Sequence, residues 1–469
     1  MATPPAASAS ATATSAADAQ LVKGIGMWGA TLLVIGSVIG SGIFLTTGGM
    51  IAELPSTTLM LAAWVAGGLL AMAGGLTYAE MGSMYPRSGG LYVFLTEAYG
   101  PVWGFMFGWA CMLVILTGSI AAVAVGFAEY FSYFFPALGT DRLLLTLAMP
   151  WGPWSISAGQ LVAAASIAII SAINYVGVNS GNLVNSVFTV AKVGLLVVLP
   201  IAAVITLRAD PAFLPLVPPT AARPLASFGV IMIAVMWTYE GWYYVAFAAG
   251  EIKDAARTVP RALILGTLAL MTIYVAVNLA YVFTLSVDEM SGVTRIAEKA
   301  VTVLVGPAGA ALVAASVVIS TFGCNVAAVI TCSRTCFAMA SDGRFFRAAA
   351  TVHPEYRTPH VAIVITSTWA ALLTLTGGYE ALFTYVTFAS VLFGTFGGVA
   401  IFVLRARHPE VHRPYRAWGY PVVPALYVLG SLALVWNTLM ERPGASIAGL
   451  GLVALGLPFY YYRSRDARG

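Results

Sequence analysis

Long apolar runs separated by short polar loops dominate the 469-residue chain. Because a helix that crosses a bilayer needs about 20 apolar residues, we place twelve membrane spans in the sequence. Their centres fall near residues 38, 68, 112, 166, 193, 238, 272, 320, 368, 392, 428 and 453. The connecting loops are too short for a soluble domain, so the pattern predicts an all-α integral membrane protein with twelve transmembrane helices.

Two of these spans carry polar and flexible residues at their centres. The first contains GSVIGSGIF, from Gly36 to Phe44, and the sixth contains WTYEGWYY, from Trp237 to Tyr244. Glycine costs about 1 kcal/mol relative to alanine inside a helix, so we expect both helices to be interrupted at membrane depth. Gly36 and Gly40 also form a GxxxG, which by itself is typical of close helix packing.

The positions of the two interruptions suggest an internal repeat. They lie in the first and sixth spans, which is the relation expected when five spans are repeated once, and an odd number of spans inverts the second copy. The first repeat would cover residues 23–206 and the second 226–404, and residues 405–469 would form two further helices and a cytoplasmic tail. Broken helices in matching positions predict a midplane site, where freed N–H groups hold a carboxylate and freed carbonyls hold an ammonium group.

Composition and charge agree with a membrane protein and orient it. The chain is 59% hydrophobic and only 9% charged, whereas soluble domains are roughly 25% charged. Of its 23 Lys and Arg residues, 15 fall on the side of the N-terminus and six on the other side, and the remaining two, Lys192 and Arg334, lie within spans. The positive-inside rule therefore places both termini in the cytoplasm. The net charge of +4 follows from this topology and requires no nucleic-acid partner. Residues 1–22 are predicted to be a disordered tail.

Four motifs in order resemble those of the amino acid-polyamine-organocation transporter superfamily. They are GSVIGSGIF in the first span, YAEMGSMYPRSGGLYVF from Tyr78 to Phe94, EGWYYVAFAAGEIKDAARTVPRA from Glu240 to Ala262, and CSRTCFAMASDGRFF from Cys332 to Phe346. The stretch RPYRAWGYPVVP, from Arg413 to Pro424, is similar to the L-amino acid transporter branch. The resemblance covers nearly the whole chain, from about residue 23 to residue 462.

The resemblance implies a fold, an activity and a set of contacts. The fold is a 5+5 inverted repeat with interrupted first and sixth helices plus two peripheral helices. The activity is secondary transport of L-amino acids by alternating access, through exchange or proton-linked uptake, and a polyamine or cationic amino acid antiporter is the alternative. The implied substrate contacts are Ser37, Val38, Gly40, Ser41 and Gly42 in the first helix and Trp237, Tyr239, Glu240 and Gly241 in the sixth. Trp237 would also be a gate that closes over the substrate from outside.

Two charged residues lie deep in predicted spans and each needs a partner. Lys192 would cost roughly 2.5 to 3.5 kcal/mol on insertion scales unless it is paired or neutralised. It either ties the fifth helix to backbone carbonyls or, as the resemblance implies, stands where sodium-coupled relatives bind a cation, and both interpretations predict sodium-independent transport. Glu240 lies at the expected substrate depth. Its partner is a proton, a protein cation such as Lys192, or the side chain of the substrate.

Charged residues near the cytoplasmic ends of the spans are candidates for gates. Glu80, at the end of the second span, is expected to anchor that helix or to form a gate pair. Arg334, together with Asp342 one or two turns further on, is expected to supply an inner-end salt-bridge partner for Glu80, Arg87 or Glu251. Both Glu80 and Arg334 are therefore gate candidates.

The four cysteines bear on possible partners. Cys111, Cys324, Cys332 and Cys336 all fall inside predicted spans, so a disulfide framework is not expected. Some eukaryotic members of the family attach to a glycoprotein through an outer-loop cysteine. We therefore expect this protein to work without a covalently attached glycoprotein subunit, in a bacterial inner membrane.

The histidines argue against a metal centre and against catalysis. His408 and His412 have the i, i+4 spacing of metal ligands, but they lie in a loop with two prolines, HPEVHRP. The other two, His353 and His360, also lie in or beside cytoplasmic loops, and no nucleophile motif lies where a base would reach it. We therefore expect no metal, no cofactor and no enzymatic activity. A channel would need a pore lined by polar residues, and the interrupted helices are better explained by one occluded site.

Overall fold

The computed structural model describes residues 24–86, 89–149, 152–177, 181–206, 213–217, 219, 222–341 and 343–466. These residues are almost entirely helical. The predicted tail at residues 1–22 and Arg87 lie outside them.

The first half of the chain holds eight α-helices, a π-helical turn and a β-hairpin. The α-helices are α1 (Met27–Val38), α2 (Gly42–Glu53), α3 (Thr57–Met84), α4 (Leu91–Tyr99), α5 (Pro101–Ala110), α6 (Leu116–Phe131), α7 (Ala158–Val176) and α8 (Gly181–Thr206). The π-helical turn, Cys111–Ile115, joins α5 to α6, and a short 3₁₀ turn, Pro136–Leu138, follows α6.

Helices also make up most of the described residues of the second half. It contains α9 (Pro224–Thr238), α10 (Ala255–Thr284), α11 (Val287–Met290), α12 (Ile296–Val305), α13 (Pro307–Ser341), α14 (His360–Thr374), α15 (Tyr379–Arg407), α16 (Val422–Glu441), α17 (Pro443–Ala454) and α18 (Gly456–Asp466). Two 3₁₀ segments, Trp242–Glu251 and Arg347–Ala350, complete it.

Several helices begin with side chains that suit a helix start. The hydroxyl of Ser56 accepts a hydrogen bond from the backbone N–H of Leu59 at the start of α3. Ser157 and Gln160 form a reciprocal capping box at the start of α7. Pro224 opens α9, where its missing N–H costs nothing because the first N–H groups of a helix have no acceptor within it.

Most of the predicted spans are long and apolar enough to cross a membrane. Among the described residues nine helices meet that condition, and the pair α1 and α2, bent by 42°, makes a tenth. The other two predicted centres, near residues 193 and 368, fall in α8 and in the 15-residue α14. Each predicted centre therefore lies in a helical segment, whereas the count of twelve spans and the inverted repeat remain predictions.

A two-stranded hairpin between α6 and α7 departs from the all-α prediction. Strand β1 (Leu143–Met149) pairs antiparallel with β2 (Gly152–Ser157). The two segments, of seven and six residues, are shorter than the roughly 20 residues that a membrane-crossing helix needs. The LLLTLAM run of β1 did not predict a strand, because it lacks the apolar-polar alternation typical of one. The hairpin is tied to the helices by Trp154, whose Nε1 donates to the Leu375 carbonyl over 2.9 Å.

Large aromatic side chains fill the centre of the bundle. Trp64 of α3, Tyr274 of α10 and Tyr239, directly after α9, are at most 1% exposed, and their ring centroids lie 5.1 to 6.1 Å apart. Such tilted and edge-to-face pairs are favoured over face-to-face stacking. This cluster fixes the position at which the sixth span leaves its helix.

Candidate substrate site and gates

The first span is interrupted at the predicted position. Helix α1 ends at Val38 and α2 begins at Gly42. The carbonyl of Val38 accepts hydrogen bonds from the Gly40 N–H over 2.8 Å and from the Tyr274 hydroxyl over 3.2 Å. The first N–H groups of α2 have no acceptor within their helix, and they carry the positive end of its dipole. The break therefore offers donors suited to an anion.

The sixth span is also interrupted. Helix α9 ends at Thr238, the Glu240 N–H turns back to the Trp237 carbonyl over 3.1 Å, and a 3₁₀ segment begins at Trp242. Gly241 between them has φ +103°, in the left-handed region that favours glycine. The Glu-Gly pair thus marks the end of the α-helix.

The two interruptions touch each other. The Ser37 hydroxyl lies 3.2 Å from the Gly241 carbonyl and 2.9 Å from the Val34 carbonyl, so it can donate to either. A Cβ on Gly241 would lie 3.1 Å from the Ser37 carbonyl oxygen. The structure therefore brings together two predicted contact residues that are far apart in sequence.

The glycines of the first interruption differ in their surroundings. A Cβ on Gly40 would meet only the Val38 carbonyl oxygen, 3.9 Å away. A Cβ on Gly42 would lie 2.4 Å from the Thr238 hydroxyl oxygen and 3.0 Å from its Cα. Gly42 therefore packs against α9, whereas Gly40 has more open space around it.

Two other predicted contacts have buried side chains. Tyr239 is 1% exposed and its hydroxyl donates to the Trp64 carbonyl over 3.2 Å. Val38 is 4% exposed within the core. The main chain of each residue, rather than its side chain, is the part that belongs to the interruption.

Glu240 is hydrogen-bonded within the protein. Its Oε1 accepts from the Tyr243 hydroxyl over 2.6 Å and from the Ser390 hydroxyl of α15 over 3.0 Å. These bonds orient the carboxylate and leave Oε2 as its second acceptor. Lys192 belongs to α8, but its side chain lies outside the described residues, so its role remains a prediction.

An aromatic cluster closes over the first interruption. The Tyr379 hydroxyl lies 2.9 Å from the Ser41 hydroxyl and accepts from Trp237 Nε1 over 2.8 Å. Phe383 stacks on Trp237 with ring centroids 6.1 Å apart. Sequence reasoning found Trp237 and Ser41 but missed Tyr379 and Phe383, although their i, i+4 spacing at the start of the tenth span was a usable signal.

Polar and charged side chains link the helices of this aromatic cluster, α2, α9 and α15, a second time. The Arg442 guanidinium lies 3.0 Å from Glu380 at the start of α15 and 3.5 Å from Glu53 at the end of α2. The Ser227 hydroxyl of α9 donates to Glu53 over 2.9 Å. We call Arg442, Glu53 and Glu380 the charged clasp. It lies at the end of the bundle opposite the start of α1.

A second ionic cluster lies at the other end of the bundle. Glu80 is fully buried, and its carboxylate contacts the Arg405 guanidinium at 2.6 and 2.9 Å, Arg413 Nε at 3.3 Å, and the Ala417 N–H at 2.6 Å. The predicted pairing of Glu80 with Arg334 is wrong, because Arg334 is exposed on α13. Sequence reasoning chose a charge near a neighbouring span end and missed the loop after α15.

A cavity of about 690 Å³ that is partly lined by charged residues lies apart from the interruptions. It is bordered by the end of α6 and by α12, with Glu129, Asp141, Arg295 and Glu298 among its lining residues. Arg295 lies 3.3 Å from Glu298 and donates to the Ser132 hydroxyl over 3.0 Å. None of the predicted contact residues lines this cavity.

The family of the chain follows from its match to known proteins. A family model described as amino acid permease matches residues 25–453. This range includes both interruptions and every named residue of the two ionic clusters. The chain belongs to the amino acid permease family. The resemblance to the amino acid-polyamine-organocation superfamily is thereby confirmed. The family and the apolar helices support a multi-pass membrane protein, and the family and its relatives are transporters.

Several curated relatives cover nearly the whole permease chain. It is 30% identical to the serine/threonine exchanger SteT of Bacillus subtilis (strain 168) over 95% of this chain and 97% of that one. It is 28% identical to the human b(0,+)-type amino acid transporter 1, over 94% and 88% of the two chains. It is also 28% identical to the human large neutral amino acids transporter small subunit 2, over 94% and 80%. These relatives support amino acid transport or exchange.

Proposed function

We propose that this permease is a sodium-independent secondary transporter of L-amino acids that works by alternating access. The observation that carries the proposal is the contact of the two interrupted helices at Ser37 and Gly241. The substrate α-carboxylate would bind at the N-terminal end of α2, beside Gly40 and Ser41, where the helix dipole favours an anion. The ammonium group would bind backbone carbonyls at the ends of α1 and α9.

Exchange is the favoured mode within this proposal. The 30% identical relative is named an exchanger of serine and threonine, and its match extends along nearly all of both chains. Proton-linked uptake is the alternative mode. Lys192, in the place where the superfamily resemblance puts a cation, is the proposed reason for sodium independence.

Alternating access requires a gate on each side of the site. We propose that Trp237 and Tyr379 form the outer gate, since their hydrogen bond and the bond to Ser41 join the first, sixth and tenth spans. The Glu80 cluster with Arg405 and Arg413 would anchor or gate the cytoplasmic end.

The membrane and assembly of the protein are part of the proposal. We infer a bacterial inner membrane with both termini in the cytoplasm and the charged clasp outside. All four cysteines are free and lie in helical segments, which supports a transporter that works without a covalently attached glycoprotein subunit.

A polyamine or cationic amino acid antiporter is the second candidate. It is favoured by one observation, the Glu240 carboxylate beside Gly241. Tyr243 and Ser390 both bond to its Oε1, so Oε2 is the oxygen that a cationic side chain would contact.

Transport by purified protein in liposomes tests the proposal. Liposomes loaded with unlabelled amino acids should take up labelled L-amino acids, and D-enantiomers should be poorer substrates. Replacing external sodium with choline should leave uptake unchanged. If no amino acid or amine enters with internal substrate or with a proton gradient, the proposed function is wrong, and a steep sodium dependence would remove the role proposed for Lys192.

A further inference from the structure

A chain of hydrogen bonds runs from Trp237 of α9 through Tyr379 of α15 to Ser41 at the start of α2. Trp237 Nε1 donates to the Tyr379 hydroxyl over 2.8 Å, and that hydroxyl lies 2.9 Å from the Ser41 hydroxyl. Trp237 is 7% exposed and Ser41 is 1% exposed. Because buried polar groups are nearly always hydrogen-bonded, each proton of this chain needs an acceptor.

The chain has one proton more than its own acceptors use. The indole N–H of Trp237 can only donate, so the Tyr379 oxygen accepts from it. The two hydroxyls carry one proton each, and the contact between them uses one of the two. Within the described part of the chain, the side chains of Ser41 and Tyr379 make no other hydrogen bond. One hydroxyl proton is therefore left for an acceptor that the described residues do not supply.

The order of the bonds assigns this proton to Ser41. The Tyr379 oxygen accepts from Trp237, and accepting one hydrogen bond strengthens the donation of the next in a chain. Tyr379 is therefore the donor in its contact with Ser41. The Ser41 oxygen accepts, and its own proton points away from Tyr379.

Ser41 also stands at the N-cap of α2 without capping the helix. A serine in this position commonly accepts from a backbone N–H two or three residues later, as Ser56 does from Leu59 over 3.2 Å. The Ser41 side chain makes no hydrogen bond to its own helix. The first N–H groups of α2 and the Ser41 proton are consequently available at the same point, beside Gly40 and the open space around it.

We propose that Tyr379 is a positioning residue that holds the Ser41 hydroxyl away from its own helix and turns its proton toward the α-carboxylate of the substrate. The proposal rests on the proposed function and names the regulation of that same site. An ionised carboxylate only accepts, so it matches the Ser41 proton and the first N–H groups of α2 together. Because Trp237 completes the chain only when it reaches Tyr379, closure of the outer gate and binding of the carboxylate strengthen each other.

A double-mutant cycle of Tyr379→Phe and Ser41→Ala tests the proposal. Tyr379→Phe removes the hydroxyl and keeps the ring that contacts Trp237 and Phe383. Tyr385→Phe is the matched control, because it removes a hydroxyl from the same helix that has no partner among the described residues. The half-saturating concentration for uptake into liposomes is measured for L-serine, L-leucine and L-arginine, and thermal shift gives their binding independently of transport.

We expect Ser41→Ala to raise the half-saturating concentration about tenfold, the size expected for a hydrogen bond to a charged group. Tyr379→Phe should raise it about fivefold in the wild-type background and less than about twofold in Ser41→Ala. The increase should be the same for each amino acid that is carried, because all share the carboxylate. Tyr385→Phe should leave the concentration unchanged.

The outcomes separate the positioning role from the transporter itself. An unchanged concentration in Tyr379→Phe, an equal effect of this substitution in both backgrounds, or an effect on only some of the carried amino acids overturns the positioning role. If Ser41→Ala does not fold, Ser41→Gly replaces it in the cycle, because glycine is also accepted at an N-cap. A wild type that carries no L-amino acid overturns both the positioning role and the proposed function.

Discussion

The Ser37 hydroxyl and the Gly241 carbonyl lie 3.2 Å apart and join the two interrupted helices of this permease. Ser37 is in the last turn of α1 and Gly241 directly precedes the 3₁₀ segment of the sixth span. Any movement of one interruption therefore acts on the other. This contact also makes Gly241 sensitive to substitution for two separate reasons, its positive φ and its closeness to Ser37.

The substitution Gly241→Ala separates these reasons when it is compared with Gly292→Ala. Both glycines have a positive φ, at +103° and +71°, and the left-handed conformation costs an L-residue roughly 1 to 2 kcal/mol. Only at Gly241 would the Cβ also press on Ser37, since nothing lies within 4 Å of a Cβ on Gly292. Both variants should lose thermal stability, but only Gly241→Ala should lose most of its transport. Equal transport in the two variants would contradict this role for the contact.

Gly40 and Gly42 should respond in opposite ways to alanine. A Cβ on Gly42 collides with Thr238, whereas one on Gly40 enters open space. Gly42→Ala should therefore lower the unfolding temperature. Gly40→Ala should keep that temperature and weaken amino acid binding, because a methyl group would occupy the space proposed for the α-carboxylate. Binding is read from the ligand-induced thermal shift, and wild-type affinity in a folded Gly40→Ala protein would remove Gly40 from the site.

Much of the fold was predictable because the bilayer imposes it. Runs of apolar residues must form helices there, and glycine with polar residues in the middle of a run, as at Gly36 and Glu240, marks an interruption. Partners brought together by tertiary packing were not predictable. Tyr379, Arg405 and Arg413 lie far in sequence from the residues they contact, and apolar or charged character alone does not say which neighbour they face. The same holds for the packing of Gly42 on Thr238, which a single sequence cannot distinguish from substrate contact.

Glu80→Gln should destabilise the protein strongly. Removing one partner of a buried ion pair costs about 3 to 5 kcal/mol, and Glu80 is fully buried against Arg405 and Arg413. Arg334→Gln is the control, because Arg334 is exposed and does not contact Glu80. The measurement is thermal unfolding in detergent. A larger loss from Arg334→Gln than from Glu80→Gln would restore the pairing predicted from the sequence.

The charged clasp should make opening of the outer gate depend on salt. Arg442 holds Glu380, the neighbour of Tyr379, and Glu53 at the end of α2. Exposed pairs contribute about 0.2 to 1 kcal/mol, so Arg442→Gln should raise the open population a few-fold at low ionic strength and little at high ionic strength. The readout is the rate of thiol labelling of Gly40→Cys in a background without the four native cysteines. Arg223→Gln, which breaks the separate Arg223–Glu441 pair, is the control and should change the rate less.

Glu240→Gln tests whether the carboxylate selects the substrate. The substitution keeps the shape and an oxygen that accepts from Tyr243 and Ser390 but removes the negative charge. If Oε2 contacts a cationic side chain, arginine uptake should fall by tenfold or more while alanine uptake changes little, because a charge-assisted hydrogen bond is about twice as strong as a neutral one. Both uptakes are measured in one preparation. Ser390→Ala, which removes a hydrogen bond and keeps the charge, should alter the arginine-to-alanine ratio less. An unchanged ratio in Glu240→Gln, with both amino acids carried, would eliminate the role of Glu240 in selecting the substrate and leave it as a group that serves structure or proton transfer.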